Sequence, residues 1–147
     1  MSERFVCKHF RELTLDELYD VMVLRNDVFV VGQKITAEPE VDGRDRECHH
    51  GLLYVGDELV GTARVFCDKD PVKVGRVAVA RDRQREGLGT RLMEAVQREL
   101  LADRRAALHA QAYLEDWYTR LGWRRDGEPF DEAEIPHVLM RWDPTNR

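Results

Sequence analysis

The chain has 147 residues, with 23 basic and 28 acidic side chains and a net charge of −5. That length suits one domain, residues 1–147, with room for a sizeable core; mild acidity argues against nucleic acid as a bulk partner, and no run approaches the ~18 apolar residues of a membrane span. Three cysteines, Cys7, Cys48 and Cys67, are an odd number without paired spacing, which argues against a disulfide framework. The N-terminus, MSERFVCKHF, lacks the apolar core of a secretion signal, so the expected compartment is the cytoplasm.

Phe5 to Phe10 reads as a first strand. Thr14-Leu15-Asp16-Glu17 is a capping box, with Thr14 as N-cap and Glu17 three residues on. The helix that follows carries Leu15, Leu18, Tyr19, Met22 and Phe29 as its expected core stripe, with Gly32 as a plausible terminator. Arg25 falls near its end, where a surface arginine is the expectation and a cleft-facing one the alternative. From Lys34 to Cys48 periodicity is lost, and Glu38, Glu40, Asp42, Asp45 and Glu47 accumulate beside Arg44 and Arg46. A polar surface loop explains this; so does a functional loop whose carboxylates attract a cationic amine. Cys48-His49-His50 lacks the ligand number and spacing that zinc needs, so no metal is expected.

Leu52 to Val55 and Leu59 to Phe66 read as two strands around the hairpin signal Gly56-Asp57. A further strand runs from Val72 to Val79. Later come a strand at Ala106 to Gln111, a short helix at Leu114 to Leu121 stopped by Gly122, a strand starting at Trp123, a loop GEPFDEAEIP, and a last strand at His137 to Trp142. No internal repeat and no linker interrupts this order. It implies a mixed α/β domain with a largely antiparallel start and one parallel βαβ crossover.

The stretch that carries chemistry is RVAVARDRQREGLGTRLM, Arg76 to Met93. Val77, Ala78 and Val79 end a buried strand, and Leu88, Leu92, Ala95, Val96 and Leu100 recur at helical spacing. Between them lie Gln84, Gly87 and Gly89 in the spacing Q-x-x-G-x-G. Glycines let a ligand approach bare backbone, and the first N–H groups of a helix are unpartnered and sit at its positive end. The loop is therefore suited to a phosphate or pyrophosphate. The spacing is not that of a Rossmann fingerprint, and no Walker loop exists. Arg81, Arg83 and Arg85 just ahead of the glycines read as a positive rim for a polyphosphate, or more simply as a solvated loop.

This loop resembles motif A of the GNAT (Gcn5-related) N-acetyltransferase superfamily, [QR]-x-x-G-x-[GA] between a strand and a helix. Tyr118, Gly122 and Trp123 are similar to that family's Y-x-x-x-G-[FY]. LRNDVFVVGQ from Leu24, EPEVDGRD from Glu38, AQAYLEDWY from Ala110 and IPHVLM from Ile135 resemble signatures of its ElaA-like branch, so the likeness runs from Leu24 to Arg141. Gly32 departs from the branch's usual glutamate, Ile35-Thr36-Ala37 from its C-P-Y, and Trp123 from its phenylalanine; the first two put the acceptor pocket in question.

The resemblance implies a GNAT fold: a mostly antiparallel mixed sheet of about six to seven strands with one splayed parallel pair, flanked by about four helices. It implies acetyl-CoA as cosubstrate, held by Val77, Ala78, Val79, Gln84, Arg85, Glu86, Gly87, Leu88, Gly89, Thr90 and Gln111, the pantetheine arm pairing with backbone at Val77 and Val79. Tyr118 becomes the general acid at the departing sulfur, where residues alone would make it a core aromatic. Acetyl transfer to an amine also needs a base, since an amine of pKa ~10.4 costs about 4–5 kcal/mol to deprotonate at pH 7. Glu40, Asp42, His49, His50 and His137 are candidates, with Glu40 and His137 carried forward; the sequence does not choose. The acceptor is a small-molecule or peptide amine, and a homodimer is possible. The competing reading is a non-catalytic module that senses acyl-CoA.

Overall fold

The computed structural model describes residues 2–144; Met1 and 145–147, the ends of the expected unit, lie outside them. Along the chain come β1 (Glu3–His9), α1 (Leu15–Arg25), β2 (His49–Val55), β3 (Glu58–Phe66), β4 (Val72–Val79), α2 (Leu88–Val96), β5 (Ala106–Gln111), α3 (Glu115–Arg120), β6 (Arg124–Arg125), β7 (Phe130–Glu132) and β8 (Ile135–Trp142). All eight strands join one sheet in the order β1-β2-β3-β4-β5-β8-β6, with β7 also on β8. Every pairing is antiparallel except β4 with β5, which α2 connects. The expected mixed α/β fold is thus present, with eight strands rather than six to seven. Its α-helices number three among the described residues rather than about four, the remainder being short 3₁₀ and π turns.

The extra strand β7 falls inside the segment expected to be a loop. It turns directly into β8 through Ala133 and Glu134, both at positive φ (52° and 65°). That is a two-residue hairpin made without the Asn or Gly that normally announces one. Trp123 does not begin a strand: it is fully buried, its Nε1 donating to Gln97 Oε1 at 2.8 Å, and β6 starts one residue later.

Alternation along the strands divides the core between two faces. Leu53, Val55, Val65, Val74, Leu108, Val138 and Met140 face α2 and α3, where Leu92, Met93 and Val96 meet them. Leu52, Tyr54, Leu59 and Ala78 face α1. The capping box at the start of α1 forms as read, with Thr14 Oγ1 accepting from the Glu17 N–H at 3.0 Å and Glu17 Oε1 accepting from the Thr14 N–H at 2.9 Å. The expected stripe on α1 holds only in part, however: Met22 and Phe29 pack on this core. Leu15 and Tyr19 are 87% and 70% exposed, while Val21, Leu24, Arg25 and Val28 point inward. These four follow the i, i+3, i+4, i+7 rule, and the arginine among them is what hid the pattern.

One irregularity shapes the site. Arg76 takes a left-handed backbone conformation (φ 50°), and the β3–β4 register slips there, Arg64 facing Gly75 but Thr62 facing Ala78. The bulge bends β4 away from β5. Their parallel pairing covers only Val72–Ala106, Lys73–Ala107 and Val74–Leu108. Beyond it β4 continues on β3 and β5 on β8, leaving a gap between them.

Candidate active site

The gap is the floor of a cleft of about 1140 Å³. From the α2–α3 side its lining includes Gly87, Leu88, Gly89, Thr90, Trp117 and Tyr118; from the α1 side Gln33, Glu40, Lys73, His109, Gln111 and His137. Val77, Ala78, Val79, Gln84 and Arg85 also line it, so the expected coenzyme residues are brought together apart from Glu86, whose carboxylate turns to Arg83 at 3.5 Å.

Gly87 caps α2 in a left-handed conformation (φ 74°) that a side chain would strain. A Cβ at Gly89 would meet Trp117 at 3.2 Å, so glycine here lets α3 close against the start of α2; Trp117 Nε1 also donates to Thr90 Oγ1 at 3.0 Å. The first amides of α2 therefore border the cleft with no side chain over them. Gln84 has a different task from contact with a ligand: its amide donates to the carbonyls of Val79 (2.9 Å) and Ala80 (3.3 Å), pinning the loop to the strand end. The side chains of Ala78 and Leu88 are in the core, which leaves only their backbone to the cleft. The rim of arginines is largely neutralised. Arg81 pairs with Asp27 at 2.8 Å and lies outside the cleft, and Arg83 pairs with Glu58 at 2.9 Å. Gly32 lies against Arg81, not in the cleft; a Cβ there would meet Arg81 Cδ at 2.8 Å.

Tyr118 is 4% exposed and packs edge-on against Trp117 and Trp123, yet it lines the cleft. Burial, with a smaller contribution from Tyr113, pushes its phenol well above the ordinary tyrosine value. The hydroxyl therefore keeps its hydrogen at neutral pH and serves as a donor rather than a base.

The acidic loop is not what its composition suggested. Arg25, expected at the surface, is 1% exposed; Nε donates to Glu40 Oε2 and Nη1 to Asp45 Oδ1, both at 2.6 Å. Arg64 donates to both oxygens of Asp42 at 2.9 and 3.0 Å. Arg76 Nε lies 3.0 Å from Glu40 Oε2 at an angle too poor for a hydrogen bond, so that contact is one of charge; Nη2 donates to the Glu40 carbonyl at 3.1 Å. Desolvation raises the pKa of Asp42, but the hydrogen bonds from Arg64 and the Arg44 N–H outweigh it and hold the carboxyl at about 2. Asp45 is likewise raised by burial and lowered further by Arg25. Three carboxylates meet three guanidiniums, so Glu40, Asp42 and Asp45 together offer no net negative charge to an incoming amine; of the loop's other carboxylates, Glu38 lines the cleft.

The base candidates separate by position. Asp42, His49 and His50 do not line the cleft. His50 is buried against the Asp45 carbonyl, and burial lowers its pKa; His49 packs edge-on against His9. Burial pushes the Cys48 thiol up to about 12, and its Sγ turns to the Arg44 carbonyl, so Cys48-His49-His50 does not converge. Glu40 lines the cleft but is bound as described.

His137 is 6% exposed, and Nδ1 lies 2.7 Å from the Ile135 carbonyl. A carbonyl only accepts, so Nδ1 carries the hydrogen and Nε2 is the bare nitrogen of the neutral ring. Nε2 is 3.7 Å from Glu132 Oε2, whose other oxygen is 2.7 Å from His109 Nδ1. Gln111 exchanges amide hydrogen bonds with Gln33 at 3.0 and 3.4 Å, tying β5 to the end of the turns that continue α1. His109, Glu132 and Gln33 escaped the sequence reading. His109 and Gln111 share one face of β5 opposite Leu108 and Ala110, an alternation that pointed to them; Glu132 had no such signal.

The family model described as Acetyltransferase (GNAT) domain matches residues 28–144. A UPF0039 protein of Schizosaccharomyces pombe is 38% identical over 93% of this chain and 95% of its own. An acyl-CoA N-acyltransferase from Pseudomonas aeruginosa superposes with a TM-score of 0.84 at 37% identity, covering 96% of this chain and 99% of that one. Fold, split sheet and loop are those of a GNAT acetyltransferase, and the chain belongs to that family. Within it the ElaA-like branch is indicated: Escherichia coli ElaA has a TM-score of 0.88 at 31% identity, with 97% of this chain and 100% of ElaA covered.

Proposed function

We propose that this protein is an acetyl-CoA-dependent N-acetyltransferase that moves the acetyl group directly to a primary amine of a small molecule or peptide. The observation that carries the reading is the gap between β4 and β5, which joins the start of α2 to Tyr118 in one cleft. The coenzyme would supply the thioester; the amides after Gly87 would hold its pyrophosphate, and the β4 edge from Val77 to Val79 its pantetheine arm. The backbone N–H near Val79 would polarise the acyl carbonyl.

The chain's own side chains then have two proton tasks. Nε2 of His137 takes the proton of the acceptor ammonium, and the Tyr118 hydroxyl donates to the leaving sulfur. The raised phenol pKa makes complete transfer harder than at an exposed tyrosine, so donation of a hydrogen bond is its larger contribution. Glu40 is less suited than His137, because its Oε2 already faces two guanidiniums. The acceptor enters on the α1 side.

Thermal melting with acetyl-CoA and a thiol-release assay over a panel of primary amines test this. The expected result is a higher melting temperature together with release of free thiol for at least one amine. A thermal shift without turnover on any amine would leave an acyl-CoA-binding module, and no shift at millimolar coenzyme would sink both.

A further inference from the structure

Glu132 is the one carboxylate at the β5–β8 end of the cleft that no guanidinium holds among the described residues. Its two oxygens face two imidazoles: Oε1 is 2.7 Å from Nδ1 of His109, and Oε2 is 3.7 Å from Nε2 of His137. His109 is half exposed and His137 buried, so the carboxylate stands between a wet ring and a dry one. Phe130 closes the group, edge-on to His109 and stacked on His137.

The backbone is specific here as well. A two-residue hairpin sets Glu132 directly opposite Ile135, and both its central residues, Ala133 and Glu134, hold positive φ. A non-glycine residue is strained in that region, and a longer loop would avoid the strain while moving Glu132.

We propose that Glu132 is a positioning residue for acyl transfer: anchored through Oε1 by His109, it presents Oε2 to His137, whose ring the Ile135 carbonyl holds through Nδ1–H, and stabilises the imidazolium formed when the acceptor gives up its proton. This rests on the reading of His137 as base. The proton balance is simple. The ammonium N–H breaks, an Nε2–H bond forms on His137, and the new positive charge sits beside the Glu132 carboxylate. The other charged groups at this end are Lys73 on β4 and Arg141 on β8, the latter bound to Asp126, with Glu38 and Glu40 on the loop above. Asp131 on β7 is exposed and does not line the cleft.

Histidine titration by NMR on nitrogen-15-labelled protein tests the pairing without needing a known acceptor, the His137 signals being identified by their loss in His137→Gln. Removing a nearby carboxylate disfavours an imidazolium, so Glu132→Gln should lower the His137 midpoint by about half a pH unit or more. Glu132→Asp should restore part of it, and His109→Gln should give a smaller shift in the same direction. A His137 midpoint that moves by less than about 0.2 units in Glu132→Gln overturns the inference whatever the enzyme's activity. With an amine that turns over, the acidic limb of kcat/KM should move down alongside the NMR midpoint; a limb that stays put while the imidazole shifts overturns the catalytic role. Absence of turnover with every amine removes the acyl-transfer reading, whereas the imidazole titration reports on the pairing alone.

Discussion

Two groups of ionisable side chains reach the same cleft, the first through Glu40, Arg64 and Arg76 alone and the second through Glu132, His109 and His137, and they differ in who answers them. Over the β3–β4 end, Glu40, Asp42 and Asp45 are met by Arg25, Arg64 and Arg76, permanently charged partners largely out of solvent. At the β5–β8 end, Glu132 is met, among the described residues, by the imidazoles of His109 and His137 and by no guanidinium. The first group can only be a brace: its charges are fixed, and it ties the loop to the end of α1 and to β3 and β4. The second can exchange a proton. Composition alone would have assigned them the other way, since the acidic run lies in the loop.

The comparison breaks most decisively at Arg25. Replacing it with leucine leaves Asp45 with only the 3.4 Å contact to Arg64 and Glu40 with that to Arg76, and should cost about 3–5 kcal/mol in denaturant unfolding. A loss under about 1 kcal/mol would show that the brace is not one. On the chemical side, Tyr118→Phe should lower kcat about a hundredfold, equivalent to about 2.7 kcal/mol, with coenzyme affinity measured by calorimetry nearly unchanged. Unfolding of that variant should stay within about 1 kcal/mol of the parent, which separates rate from stability.

Acid should act on the brace first. The folded pKa of Asp42 is depressed to about 2 from 3.8, so its contribution is fully present above about pH 4 and disappears as pH falls toward 2. The loss is on the order of 1–2 kcal/mol after allowance for its partial exposure, and Asp42→Asn should flatten melting temperature against pH across that window. The smallest effect belongs to the hairpin that presents Glu132. Glu134→Gly relieves one left-handed residue and should raise unfolding free energy by about 0.5–1 kcal/mol. A destabilised variant would mean that the exposed Glu134 side chain makes a contact the positive φ conceals.

Much of this architecture was readable before folding, because it is local. Thr14 and Glu17 cap α1 within four residues; Ala106–Gln111 is a strand by its own alternation; Gly87 and Gly89 mark the mouth of α2. Arg25 was misplaced because a guanidinium is ordinarily outside, although its spacing from Val21, Leu24 and Val28 put it on the inner face. Burial there depends on Glu40 and Asp45, 15 and 20 residues later, and nothing in the helix announces them. The β7–β8 hairpin was read as a loop because its turn is Ala-Glu rather than Asn-Gly. His137 is a candidate from the sequence, but its pairing with His109 through Glu132 is not: His109 meets Glu132 only after β8 has docked on β5 and β7 has folded back on β8.

The brevity of the β4–β5 contact has a mechanical consequence. Among the described residues three rungs, Val72 to Val74 with Ala106 to Leu108, are all the ladder that fastens the meander β1–β4 to β5, β8, β6 and β7. Past them the facing edges of β4 and β5 carry backbone N–H and C=O groups with no strand opposite. A guest laid lengthwise in the opening would zip the two plates into one continuous sheet, and backbone amides at the tips of β4 and β5 would then exchange with deuterated solvent more slowly than those at the three rungs had any room to.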